Sequence, residues 1–172
     1  QHAIIAMAAI KMGKHVYCEK PLTHTVWEAR QLAQAAREYK VATQMGIQIH
    51  ATENYRQVVE LVQSGMIGPV REAHVWVSRA WGWQSEADAK RHNDIVWSFE
   101  RPTAVQPVPE GLDWDLWLGP AQFRPFHPAY HPGRWRGWTP FGCGVIGDWV
   151  CHVIDPVFWA LDLGAPSTVM AE

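Results

Sequence analysis

Gly13-Lys14-His15-Val16-Tyr17-Cys18-Glu19-Lys20-Pro21-Leu22 is the stretch on which the fold turns. Residues 15–18 form a short run bounded by a glycine before and a proline after, the pattern of a short buried strand. Proline has no N–H for a central ladder, so the strand stops at Glu19-Lys20-Pro21. Working outward, residues 3–12 read as a helix that is apolar nearly all round, with Gly13 as its C-terminal stop. On the other side, Thr25-Val26-Trp27-Glu28 has the spacing of a capping box. It opens a second helix to about Tyr39, with Ala29, Leu32, Ala33 and Ala36 as its inner stripe. Residues 41–45 read as the next strand. The order helix, strand, helix, strand predicts a right-handed crossover and a parallel sheet, hence an α/β fold.

The pattern then changes. Residues 53–64 predict a helix with Tyr55, Val58, Val59 and Val62 on one face, and Gly68-Pro69 a turn. Residues 70–79 alternate as a strand, with Ala73, Val75 and Val77 on one side and His74, Trp76 and Ser78 on the other. Residues 81–144 are irregular and hold most of the chain's 12 prolines and 11 tryptophans. A stretch of that length without regular structure is usually functional or elaborates another domain. A mostly apolar helix is expected over 145–161, with Pro156 kinking it or separating two of its turns. Residues 167–172 look like a strand beginning. The expected division falls near residue 48: 1–48 as the closing part of one domain, 49–172 as part of an α+β domain.

Composition narrows the function classes. The chain has 172 residues, 48% hydrophobic and 19% charged, which supports a packed core rather than disorder. A net charge of -2 gives no electrostatic footprint of a nucleic-acid or anionic-membrane binder. No apolar run approaches the ~18 to 20 residues of a membrane span. Cys18, Cys143 and Cys151 form no CxxC pair, which fits a reducing compartment and a cytoplasmic location better than a disulfide framework. The first residue is Gln and the sequence opens inside a helix, so an internal piece of a longer chain is expected, with any export signal lying upstream.

Two constellations carry chemistry. Lys20 stands at the carboxyl end of a parallel strand, where open α/β sheets bind their ligands. There it can polarise a carbonyl or move a proton; a surface Glu19–Lys20 pair at a turn is the plainer alternative. Asp148, His152 and Asp155 are spaced i, i+4, i+7, which places them on one helical face amid Val145, Ile146, Trp149, Val150, Val153 and Ile154. Such a polar stripe faces a cavity or is hydrogen-bonded. Asp148 would fix the tautomer of His152 for general-base work, or the pair would hold the helix structurally. His127 and His131 are interrupted by Pro128 and Pro132, and no HExxH or Cys/His ligand spacing occurs, so no metal site is expected. Trp81, Trp83, Trp135 and Trp138 read either as a stacking surface for sugar rings or as core and interface filler.

At these residues the sequence resembles a known family. The 13–22 stretch resembles the AGKHVxCEKP signature of the Gfo/Idh/MocA oxidoreductases, and Gly147-Asp148-Trp149-Val150-Cys151-His152-Val153-Ile154-Asp155 resembles that family's GDxxxHxxD segment. The resemblance implies a Rossmann domain followed by a catalytic domain on a large open sheet, NAD or NADP as cofactor, and hydride transfer at a carbon of a sugar or polyol. By position, Glu19, Lys20 and Pro21 would bind cofactor, Lys20 would also reach the substrate hydroxyl, His152 would accept the proton, and Asp148 would orient substrate and His152. A homo-oligomer is implied as well. The glycine-rich dinucleotide fingerprint and the acidic residue that reads the ribose are expected upstream of residue 1, so residues 1–172 alone are not expected to bind dinucleotide tightly. Two alternatives stay open. One is an NAD-dependent glycosidase working by transient oxidation and elimination. The other is a non-catalytic carbohydrate-binding or regulatory module, against which the presence of both Lys20 and His152 argues.

Overall fold

A computed structural model describes residues 1–97 and 100–170. The chain divides into two compact units, residues 1–46 with 78–149 and residues 47–77 with 150–172.

In the first unit, α1 (His2–Lys11) leads into β1 (Val16–Glu19), α2 (Val26–Glu38) and β2 (Thr43–Gly46). Gly13 turns the chain after α1 at a φ of 72°, a left-handed backbone that glycine adopts without strain. The two strands pair in parallel with Val16 opposite Thr43 and Glu19 opposite Gly46. The Lys20 N–H extends the ladder to the Gly46 carbonyl at 3.0 Å. The unit is the β-α-β arrangement the alternation predicts.

Thr25 caps α2 as its sequence implies: its side chain accepts from the Glu28 N–H, and Glu28 accepts in return from the Thr25 N–H at 2.8 Å. The core here is Ala6 and Ile10 of α1 with Leu32, Ala35 and Ala36 of α2. Two expectations need correction. Ala33 lies outward and Ala35 takes its place in the stripe, because the helix turns its 32, 35, 36 edge toward α1. The outer face of α1, with Ile4 and Ile5, is exposed; only the side carrying Ala6 and Ile10 meets α2.

The 78–149 part contains two short helices, α4 (Glu86–Arg91) and α5 (Trp114–Leu118), and a 3₁₀ turn at Arg134–Gly137. Ring packing organises it: Trp114, Leu118, Phe126 and Tyr130 form a buried cluster flanked by Trp117, Trp138 and Phe141. A second anchor is the buried Asp94 carboxylate. It accepts from the N–H groups of Ala80 at 3.0 Å and Ile95 at 2.8 Å and from the Gln84 amide at 3.1 Å.

In the second unit, α3 (Glu53–Gln63) packs on α7 (Asp155–Leu161). Val59 is buried, but Val58, expected beside it, is half exposed. Residues 70–79, expected as a strand, carry no ladder: a strand needs a hydrogen-bonded neighbour, and among the described residues the one sheet is β1–β2. Residues 167–170 are likewise not a strand, and 171–172 of that expected strand lie outside the described residues. The helix expected over 145–161 is three pieces: a π-turn at Ile146–Val150, α6 (Cys151–Val153) and α7, with Pro156 in the first turn of α7. Proline suits that position because its missing N–H has no partner there to lose. The i, i+4, i+7 spacing of a regular helix therefore does not describe Asp148, His152 and Asp155.

Candidate active site

Lys20 follows the last residue of β1, so the strand fixes its backbone and leaves its side chain at the carboxyl edge. From there the ammonium donates to Asp148 Oδ1 at 2.5 Å and to the Asp148 carbonyl at 2.7 Å. The two side chains are 17% and 18% exposed, enough shelter for the pair to be more than a solvated surface contact. The other Asp148 oxygen accepts from Arg136 Nε at 3.2 Å. Lys20 and Asp148 stand in separate motifs of the sequence, and the fold brings them together across 128 positions.

A cleft of about 560 Å³ opens beside this pair, lined by Asp148 and Arg136 together with Pro21, His24, Trp117, Trp135 and Cys143. Its size suits a small-molecule ligand. His2 Nδ1 donates to the Pro21 carbonyl at 2.8 Å and His24 Nε2 to the Thr139 carbonyl at 2.6 Å, which fixes the proton position on each ring. Burial, with the Asp148 charge adding to it, pushes the Cys143 thiol up, so it stands in the cleft as a neutral thiol rather than a nucleophilic thiolate. Of the four tryptophans considered for sugar stacking, Trp135 lines the cleft; Trp81 is buried, Trp138 donates from Nε1 to the Ala129 carbonyl beside the aromatic core, and Trp83 is exposed.

The remaining site candidates lie in the second unit. His152 is buried on α6, and its carbonyl accepts from the Tyr55 hydroxyl at 2.6 Å. Asp155 accepts from His50 Nδ1 at 2.7 Å, and the His50 ring stacks on Trp159 at 4.5 Å. Burial and the Asp155 charge raise the Tyr55 phenol, which keeps it a donor. Neither Arg136 nor His50 was visible as a partner in the sequence, because each lies outside both motifs and meets its carboxylate only through the fold.

Gly142-Cys143-Gly144-Val145-Ile146-Gly147 has the G-x-G-x-x-G spacing of a phosphate-binding turn. It follows no strand, and packing explains two of its glycines. A Cβ at Gly142 would lie 2.7 Å from the Arg136 carbonyl oxygen, and one at Gly147 would overlap the Cys143 side chain. The chemistry at the end of β1 is an ammonium and a carboxylate able to exchange hydrogen bonds with hydroxyls, at the carboxyl edge of a parallel sheet.

The parallel β-α-β unit, with the Lys–Asp pair at its carboxyl edge, is an α/β arrangement. Residues 1–47 match the family model described as "Oxidoreductase family, NAD-binding Rossmann fold", and residues 51–172 match "Oxidoreductase family, C-terminal alpha/beta domain". The chain belongs to the Gfo/Idh/MocA oxidoreductase family. The cofactor class that goes with the matched domain is NAD(P).

Among curated relatives, the chain is 33% identical over 93 residues to Dehydrogenase aclE of Aspergillus oryzae, covering 54% of this chain and 25% of that protein. It is 36% identical over 75 residues to 1,5-anhydro-D-fructose reductase of Ensifer adhaerens (44% and 22%). It is 38% identical over 74 residues to Inositol 2-dehydrogenase 3 of Saccharopolyspora erythraea (42% and 22%). The chain thus spans about a quarter of the length of the curated relatives it matches. Among the described residues, no helix is long and apolar enough to cross a membrane.

Proposed function

We propose that the protein transfers a hydride between NAD(P) and a hydroxyl-bearing carbon of a sugar or polyol. The observation that carries this reading is the Lys20–Asp148 pair at the carboxyl end of β1, beside an open cleft. Residues 1–48 act as the closing part of the dinucleotide-binding domain and 49–172 as the beginning of the catalytic one. The names of the relatives support the substrate class: two of them act on an anhydro sugar and on inositol.

When bound, the nicotinamide supplies or accepts the hydride. The chain's own residues do the rest. Glu19, Lys20 and Pro21 hold the ribose–nicotinamide end. The Lys20 ammonium gives up its hydrogen bond to Asp148 and donates to the reacting oxygen, stabilising negative charge as it develops. Asp148 accepts from a neighbouring substrate hydroxyl and orients the ring. His152 takes the hydroxyl proton when the substrate is oxidised.

The test is Lys20→Ala and His152→Ala in the full-length protein, assayed by NADH absorbance against a panel of sugars and polyols. Each is expected to lower turnover by about 10²- to 10⁴-fold, the usual worth of a positioned proton-transfer group. Undiminished turnover in both variants would sink the site assignment. Glycoside cleavage without net change in NADH absorbance would replace the dehydrogenase reading with the glycosidase one.

A further inference from the structure

The Asp148 carboxylate is shared between two cations, and only one of them sits in the family motif. Arg136 reaches it from the 3₁₀ turn at Arg134–Gly137, and its geometry is built rather than incidental. Nε donates to Asp148 Oδ2 at 3.2 Å while Nη1 donates to the Gly133 carbonyl at 3.1 Å. The guanidinium lies over two indole rings, 4.6 Å from Trp135 and 5.2 Å from Trp81. Its backbone is fenced as well: a Cβ at Gly142 would come within 2.7 to 3.0 Å of the Arg136 carbonyl oxygen, Cα and carbonyl carbon. A solvated ion pair contributes little and needs no such enclosure. Two aromatic faces and a fixed fork instead leave the guanidinium few alternative positions.

We infer that Arg136 is a positioning residue: it holds one oxygen of Asp148 and shares its charge, which leaves the Lys20 ammonium exchangeable toward a substrate hydroxyl. The inference rests on the roles proposed above for Lys20 and Asp148. With Arg136 in place, Asp148 keeps a counter-charge when Lys20 turns to substrate. Without it, the carboxylate is looser and leans more heavily on Lys20, so moving Lys20 away leaves a sheltered negative charge less well compensated. Lysine at this position would keep the charge but not the rigid fork that serves Asp148 and Gly133 together.

The experiment compares wild type, Arg136→Met, Arg136→Lys and Lys20→Ala in the full-length protein, with thermal melts to confirm folding. Arg136→Met is expected to lose about 10²-fold, the scale of a misplaced reacting group, with the loss falling on kcat rather than KM. Added methylguanidinium, seated against the two indoles, should restore part of it, and Arg136→Lys should recover part without additive. A second readout needs neither substrate nor cofactor. Acylation of Lys20, followed by mass spectrometry against the other lysines as internal reference, should slow in Arg136→Met because the ammonium is then tied to Asp148. Wild-type kinetics and labelling in Arg136→Met, with Lys20→Ala inactive, overturn this inference alone. A folded Arg136→Met that loses activity with no recovery from lysine or methylguanidinium overturns it in favour of a packing role. Full activity in Lys20→Ala overturns the functional reading beneath it.

Discussion

Asp148 balances two cations with one carboxylate, which makes it the residue where chemistry and architecture are hardest to separate. Asp148→Asn keeps the shape and one acceptor but removes the charge that holds Lys20 and Arg136. The expected outcome is a loss of at least about 10²-fold in kcat/KM with a folded protein, read by steady-state kinetics beside a melting curve. Lys20 was legible in the sequence because the strand-stopping Glu19-Lys20-Pro21 announces a sheet edge, and Asp148 because a charged residue on an apolar helix demands a reason. Arg136 was not legible. It stands in a Gly-, Trp- and Pro-rich stretch whose backbone has no period, and no local spacing says that its side chain turns back to residue 148.

At the scale of elements, local rules succeeded where the chain satisfies its own hydrogen bonds. The Thr25–Glu28 capping box needs four consecutive residues and nothing else, and it forms. Thr25→Ala should therefore cost about 1 kcal/mol, measured by urea unfolding of the same protein. Rules failed where an element depends on a distant neighbour. Residues 70–79 alternate as a strand should, yet alternation specifies faces and not a partner, and no ladder forms among the described residues. The helix over 145–161 failed differently. Its apolar pattern is compatible with helix throughout, but pattern does not fix the hydrogen-bond step, and the turn carrying Asp148 is of the π type. Such turns are frequent at functional sites.

At the scale of the molecule, the 78–149 segment holds together through rings and one buried carboxylate rather than through regular structure. Trp114 is the hub: it stacks on Trp117 at 4.7 Å, meets Phe126 edge-on at 5.2 Å, and donates from Nε1 to the Arg124 carbonyl at 2.8 Å. Trp114→Ala should destabilise by about 3 to 5 kcal/mol, seen as a lowered melting temperature.

Asp94 contributes to the response to acid. Burial would push its carboxyl up, but the N–H groups of Ala80, Ile95 and Val96 and the Gln84 amide outweigh burial and hold it below its ordinary value of 3.8. A group depressed in the folded state stabilises fully above its ordinary value, and that contribution is lost as pH falls through the folded one. Urea midpoints taken from neutral pH down through the acid range should therefore fall below pH ~4. Asp94→Asn should flatten that fall while lowering stability at neutral pH. The excess of tryptophan was plain in the composition, but its division between core and cleft needed the fold.

The separation of 128 positions between Lys20 and Asp148 bears on how the protein is made. A chain emerging from the ribosome can close the small core of α1 and α2 early, since all its members lie within residues 6–36. The ion pair waits until nearly the whole of this stretch has been synthesised. A product that ends between residues 47 and 147 therefore contains α1, β1, α2 and β2 but carries Lys20 without Asp148. The pair at the strand end therefore forms after the core beneath it, in the order the chain is made.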